Sequence, residues 1–273
     1  MSSNNGSLKE LPENQGMSQE EFKHLIQEAM VFKERSHDTY HNIHEPELLT
    51  KFISMSDFSS PRSTSNGQTQ DTIDTVLIGD SMLERLKTTG ACTGIAQLDG
   101  SFNAGCGGDK IENVLYRLSF MSTLLEKRQI KLWVVMVGTN NLRKKGLRPS
   151  DVPLYRLLLQ ALLRISPGSN ALVCEIFKRK DIEDRHVDEA NEMIKEIVAE
   201  MNGNLGEERI FWSNAPAEVT KERLEDHVHL DDEGYRIWDK ILLPRVVRLR
   251  APAPFKSDMV VFTGAVPSLA DQI

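Results

Sequence analysis

The stretch Leu132-Trp133-Val134-Val135-Met136-Val137-Gly138-Thr139-Asn140-Asn141 decides how this chain is read. Its apolar residues run without alternation and stop at a glycine followed by polar residues. A short continuous run of this kind is a strand buried on both faces, as strands of parallel sheets are. Thr75-Val76-Leu77-Ile78, ending in Gly79, has the same form. Ala171 to Phe177 and Arg209 to Trp212 read as further strands, and Ile95 to Phe102 as a weaker one.

Helical spacing fills the gaps between these runs. Ile111, Val114, Leu115, Leu118, Met121 and Leu125 fall on one helix face. Tyr155, Leu158, Leu159 and Leu162 mark a second helix, ending near Pro167-Gly168, and Val187, Ala190, Ile194, Ile197 and Met201 a third. A last helix is expected from about Asp232 to Arg248. Buried strands alternating with amphipathic helices predict an α/β fold, a mostly parallel five-stranded sheet covered on both faces. Such sheets place their sites beyond the carboxyl ends of the strands. Ser81, the segment Asn103 to Gly108, and Asn140 all lie just past predicted strand ends.

The bulk properties narrow the field. The chain has 273 residues, of which 40% are hydrophobic, enough for one sizeable core plus extensions. Lys and Arg number 33 against 40 Asp and Glu, a formal charge of −7. That balance argues against a nucleic-acid partner. Cys92, Cys106 and Cys174 form no CxxC pair, and their odd number fits a reducing compartment. The polar start MSSNNGSLKELPENQG lacks the apolar centre of a signal peptide. No apolar run reaches the roughly 20 residues that span a bilayer. A cytoplasmic location is therefore expected, with the Asn5-Gly6-Ser7 sequon idle.

Outside the alternating region, residues 1–16 read as a polar tail. Ser18-Gln19-Glu20-Glu21 is a capping box opening a helix expected over about 18–35. Phe22, Leu25, Ile26, Ala29 and Phe32, flanked by Met30, form its apolar stripe. The stripe must be covered, either by the main domain or by a second copy of the chain. The predicted organisation is an N-terminal extension over 1–58, a Ser/Thr-rich linker over 59–72, the main domain over 73–249 and a tail over 250–273.

Four short blocks carry candidate chemistry. In Gly79-Asp80-Ser81-Met82 a strand delivers a serine to a helix start, where free N–H groups suit a developing oxyanion; read alone, Ser81 could equally be a helix cap. Asn103-Ala104-Gly105-Cys106-Gly107-Gly108-Asp109 brings backbone close to a ligand, or is a plain turn with Asp109 as cap. It matches neither dinucleotide nor Walker phosphate loops. Gly138-Thr139-Asn140-Asn141 offers a side-chain amide at a strand end. Asp226-His227-Val228-His229 places a carboxylate and an imidazole on one loop before the last helix, a pair suited to taking a serine proton, with Asp231 or Asp232 as the helix cap.

Taken together and in this order, the four blocks resemble those of the SGNH (GDSL-type) hydrolases. The stretches FNAGCGGDKIENVLYRL, VVMVGTNN and DHVHLDDEGY look most like the branch containing the brain-type platelet-activating-factor acetylhydrolase catalytic subunits. The resemblance covers about residues 73–249. It implies the SGNH hydrolase fold, a flavodoxin-like three-layer sandwich, and hydrolysis of a small-molecule or lipid carboxylic ester. Ser81 would be the nucleophile and Asp226 and His229 its partners. The oxyanion would be held by the Ser81 and Gly105 N–H groups and by the Asn140 side chain. No metal and no organic cofactor is implied. Met82 stands where Leu is usual, a volume-conserving change, and Asn141 where many members have Asp. The α/β-hydrolase pattern is disfavoured because no G-x-S-x-G surrounds Ser81. Acyl transfer by the same residues and a non-catalytic flavodoxin-like binding module are the rival functions.

Two further clusters stand apart. His37, His41 and His44 would share one face if helical, at a spacing that can bind a transition metal, but they lack a Cys or clear carboxylate partner. Lys178-Arg179-Lys180 reads as a solvated basic loop, or one that meets an anionic group of the substrate.

Overall fold

The computed structural model describes residues 17–56 and 73–251. The expected N-terminal tail, the linker at 59–72 and the chain after 251 lie outside the described residues. Five strands form one sheet: β1 (Thr75–Gly79), β2 (Ser101–Gly105), β3 (Leu132–Met136), β4 (Asn170–Cys174) and β5 (Ile210–Ser213). Their order is β2-β1-β3-β4-β5, and every neighbouring pair is parallel. The expected mostly parallel sheet is thus fully parallel.

Side chains one residue apart on the central strands enter two different cores. Val76, Ile78, Trp133, Val135, Ala171 and Val173 pack on one face with α5 (Ile111–Leu125), α6 (Asp151–Ile165) and α7 (Asp184–Leu205). Leu77, Leu132, Val134, Met136, Leu172 and Cys174 point to the other, where α8 (Asp232–Arg250) supplies Tyr235, Trp238, Leu242 and Val246. This period of two, apolar on both sides, is why the strands read as continuous runs. Among the described residues, no helix is long and apolar enough to cross a membrane.

Two expected elements are shifted. The weak strand at 95–102 begins only at Ser101. Before it, the carboxylate of Asp239 takes the N–H groups of Gly94 and Ile95 at 2.8 and 2.9 Å, and Gly100 adopts φ +75°. These features hold the segment in turns while Ile95 is still buried. The N-terminal helix stops at Ala29 instead of near residue 35: α1 is Gln19–Ala29. Beyond it, Val31 donates to the Glu112 carbonyl and accepts from Asn113 Nδ2, so tertiary bonds replace the helical ones.

The chain then forms α2 (Glu34–Thr39), a π-helical turn over Tyr40–His44 and α3 (Glu45–Ser56). Ser18 and Glu21 make the expected capping box. Phe22 and Ala29 are buried, and Leu25, Ile26 and Met30 pack against the same core as α5. Phe32 stays exposed, edge-on to Tyr116 of α5.

Candidate active site

The sheet order turns around β1, with β2 on one side and β3 on the other. A crevice opens outside the carboxyl ends at such a switch point. Gly79, Gly105 and Met136 stand level there, so the residues that follow them converge. The fit leaves no room to spare: a Cβ on Gly79 would lie 1.8 Å from the Met136 carbonyl oxygen, and one on Gly105 2.3 Å from the Glu84 nitrogen.

Ser81 is the first residue of the short helix α4 (Ser81–Glu84). The capping role falls to Asp80, whose Oδ1 accepts from the Met82 N–H at 3.0 Å. Ser81 is therefore not the cap, and its hydroxyl is left for other partners. As an opening residue its N–H belongs to the group without an intrahelical acceptor. Two carbonyls of α4 are held from outside, Leu83 by Asn103 Nδ2 at 2.7 Å and Met82 by the Tyr235 hydroxyl at 2.9 Å. Asp80 is fully buried and its Oδ2 has no hydrogen-bond partner among the described residues. Burial pushes its carboxyl up to about 7 against the bond from Met82, and nearby Asp109 adds to the rise.

The loop before α8 brings the other two groups. His229 Nε2 lies 2.8 Å from Ser81 Oγ, and His229 Nδ1 lies 2.7 Å from Asp226 Oδ2. With Nδ1–H donated to the carboxylate, Nε2 is left to accept from the serine hydroxyl. The Val228 and His229 N–H groups both donate to Asp226 Oδ1 at 2.8 Å. Partial burial works to raise the Asp226 carboxyl. The bonds from His229 and Val228 outweigh it and hold the group well below the usual carboxylate range. Arg85 braces this loop, 2.5 Å from Glu225 and 4.0 Å from Asp226. His227 is exposed, and its carbonyl accepts from the Lys180 N–H. Asp231 caps α8 through the Gly234 N–H at 2.6 Å.

The three expected oxyanion donors meet the crevice in different states. Gly105 N–H donates to Asn103 Oδ1 at 2.9 Å. Asn140 Nδ2 donates to the Asp109 carbonyl at 2.9 Å, which leaves its second N–H. Asn141 turns away: its Oδ1 accepts from Ile111 N–H and its Nδ2 reaches Glu112 and Asp151.

Several residues of the site are not apparent from the sequence pattern. Arg117, fully buried, donates to Asp109 Oδ2 at 2.7 Å, to the Ala104 carbonyl at 2.7 Å and to the Gly79 carbonyl at 3.0 Å. It ties the ends of β1 and β2 together behind the crevice. Asp109, expected as a helix cap, is instead the buried counter-ion of Arg117, and Lys110 takes the cap position of α5. A cation set among Val114, Leu115 and Leu118 was the available signal.

The basic run is not simply solvated. Lys178 pairs with Asp188, buried Arg179 donates to the Thr139 carbonyl at 2.7 Å, and Lys180 Nζ donates to the Leu224 carbonyl at 2.9 Å. It ties the loop after β4 to the loop after β3, to α7 and to the loop before α8. Of His37, His41 and His44, the first two lie ring to ring with centroids 4.3 Å apart, but the third is set apart. His37 Nδ1 meets the Tyr116 hydroxyl, His41 Nδ1 meets Glu45, and His44 at the end of the π-helical turn is buried beside Arg117. Among the described residues, no group of His, Cys, Asp and Glu is arranged to hold a metal ion.

Solved structures of related shape include an active-site mutant of a family two carbohydrate esterase from Clostridium thermocellum. It has a TM-score of 0.51 and 12% identity, covering 64% of this chain and 63% of that one. A GDSL-like lipase from Bacteroides thetaiotaomicron gives 0.49 and 14%, covering 74% and 98%. A carbohydrate esterase family 3 protein from Talaromyces cellulolyticus gives 0.49 and 17%, covering 64% and 97%. No curated protein matches the chain. The model of the GDSL-like Lipase/Acylhydrolase family matches residues 77–237, more than half of the chain and every block of the crevice, and the chain belongs to that family.

Proposed function

We propose that this protein is a serine-dependent carboxylic ester hydrolase working through an acyl-Ser81 intermediate. One observation carries the reading: a single imidazole, His229, sits within hydrogen-bond distance of both Ser81 Oγ and Asp226 Oδ2. A serine hydroxyl is a weak nucleophile until a positioned base takes its proton. Here the carboxylate fixes the ring and stabilises the imidazolium that forms. Ser81 Oγ attacks the ester carbonyl while His229 Nε2 takes the proton. The charge that develops on the carbonyl oxygen meets the Ser81 N–H and the second N–H of Asn140. Gly105 N–H joins them if Asn103 Oδ1 releases it. His229 then gives its proton to the leaving alcohol. Water, deprotonated by the same nitrogen, attacks the acyl group and frees the acid.

The substrate proposed is a small-molecule or lipid ester. The motifs resemble those of the branch containing the brain-type platelet-activating-factor acetylhydrolase catalytic subunits, which supports such a substrate. Three unpaired cysteines support a reducing, cytoplasmic setting. A panel of nitrophenyl esters of increasing chain length tests the activity, with Ser81→Ala as the control. Turnover of at least one ester by the wild-type chain and none by the variant is expected. Equal rates for the two proteins would refute the reading.

A further inference from the structure

We propose that the N-terminal segment from Lys33 to His44 is a working part of this catalytic site: through Ser36 and Lys33 it locks Asp109, and through Asp109 it orients the Asn140 amide toward the oxyanion. The proposal rests on the esterase reading above. It assigns a positioning role to residues that lie outside the region matched by the family, 77–237.

The link begins at a buried carboxylate. Asp109 has no exposed side-chain surface, so each oxygen needs a partner inside the protein. Arg117 serves Oδ2. Oδ1 is served from the N-terminal segment, by the Ser36 hydroxyl at 2.5 Å and by Lys33 Nζ at 3.6 Å. Ser36 is itself fully buried on α2, so water cannot readily replace it. The backbone of the same Asp109 accepts from Asn140 Nδ2. An amide is planar, so fixing one N–H fixes the direction of the other. A shift of the Asp109 carbonyl therefore turns the remaining donor of Asn140.

The segment also grips the rest of the loop. Lys33 Nζ donates to the Gly107 carbonyl at 3.2 Å. Arg35 bonds Glu84, the last residue of α4, at 3.0 Å. A Cβ on Gly107 would come within 2.6 Å of both Arg35 Nη2 and Glu84 Oε2, so this loop is shaped around the ion pair. His44 closes the far end, buried against Phe102 and 3.4 Å from Arg117 Nη1. Burial pushes its imidazole down to about 2, and the Arg117 charge acts in the same direction. His44 is thus a neutral partner that accepts from the guanidinium.

The test uses the full chain with Ser36→Ala and Lys33→Met, assayed on nitrophenyl acetate. Rates are normalised to sites titrated by a fluorophosphonate, so a loss of folded protein does not count. Misplacing a donor by a fraction of an ångström is costly, and Ser36→Ala is expected to lower kcat by about tenfold with KM changed less than about twofold. Lys33→Met is expected to lower kcat in the same sense, by about threefold. Amide hydrogen exchange in a peptide spanning 103–110 should rise in both variants while the central strands stay protected. If Ser36→Ala does not fold, Lys33→Met decides, since its side chain sits at the rim of the network. Normal kcat in the folded variants would overturn the proposal whatever their melting temperatures. If the wild-type chain turns over no ester, the exchange result stands by itself. Faster exchange then keeps the link to Asp109 while the esterase reading falls, and unchanged exchange overturns the link as well.

Discussion

His229 Nε2 and Ser81 Oγ stand 2.8 Å apart, although 148 positions separate them in the chain. Two histidines on that loop compete for the role of base, and only one reaches the serine. Replacing His229 by Gln is expected to remove turnover. Replacing exposed His227 by Gln is expected to leave most of it, since its carbonyl still accepts from Lys180. Steady-state rates of the two variants on one ester decide the assignment.

The pH profile follows from Asp226. Its carboxyl is held well below the usual range by His229 and Val228, despite the opposing effect of burial, and so stays ionised across the working range. The acid limb of kcat/KM is then expected to keep the same shape in Asp226→Asn as in the wild type, at whatever residual rate that variant keeps. A limb that changes shape in the variant would mean that the Asp226 carboxylate contributes a proton to it.

Asn140 keeps one N–H for the reacting oxygen while the other holds Asp109. Losing an oxyanion donor typically costs about 10²–10³ in kcat. Asn140→Ala is expected to fall in that range with a smaller change in KM. Stopped-flow acylation with a nitrophenyl ester would show the loss in the first step.

Asp80 makes stability depend on pH in an unusual direction. Its folded value is raised to about 7, chiefly by burial, above an unfolded carboxylate near about 3.9. Its neutral form therefore favours the fold. That contribution is full below the unfolded value and is lost as the pH rises through about 7, with a limiting slope of roughly 1.4 kcal/mol per pH unit. Asp80→Asn keeps the acceptor for the Met82 N–H and removes the titration. Urea unfolding at pH 5 and pH 8 should show the variant gaining on the wild type at the higher pH.

The parallel sheet was legible because its strands are apolar on both sides. Leu132 to Met136 and Thr75 to Gly79 can be little else at that length. The positions of Ser81, Asn140 and His229 followed from where those strands end and from the order of the blocks. The start of β2 was not legible, because it depends on Asp239, far along the chain, taking the N–H groups of Gly94 and Ile95. The end of α1 was hidden for a similar reason: Val31 leaves the helix to bond Glu112 and Asn113. Ser36 and Asp109 carry no local pattern that announces a pair 73 residues apart. Arg117 stands out as a cation in the apolar period of α5, but the groups it holds, the Asp109 carboxylate and the Ala104 and Gly79 carbonyls, lie on other elements and have no local signature.

The central claim is that Ser81 is the nucleophile. A fluorophosphonate reports this directly, because it bonds covalently to an activated serine and the adduct can be located by peptide mass spectrometry. The account predicts one adduct per chain, on Ser81, with labelling abolished in His229→Gln. An unlabelled Ser81 in folded wild-type protein, or an adduct on another serine, would contradict it.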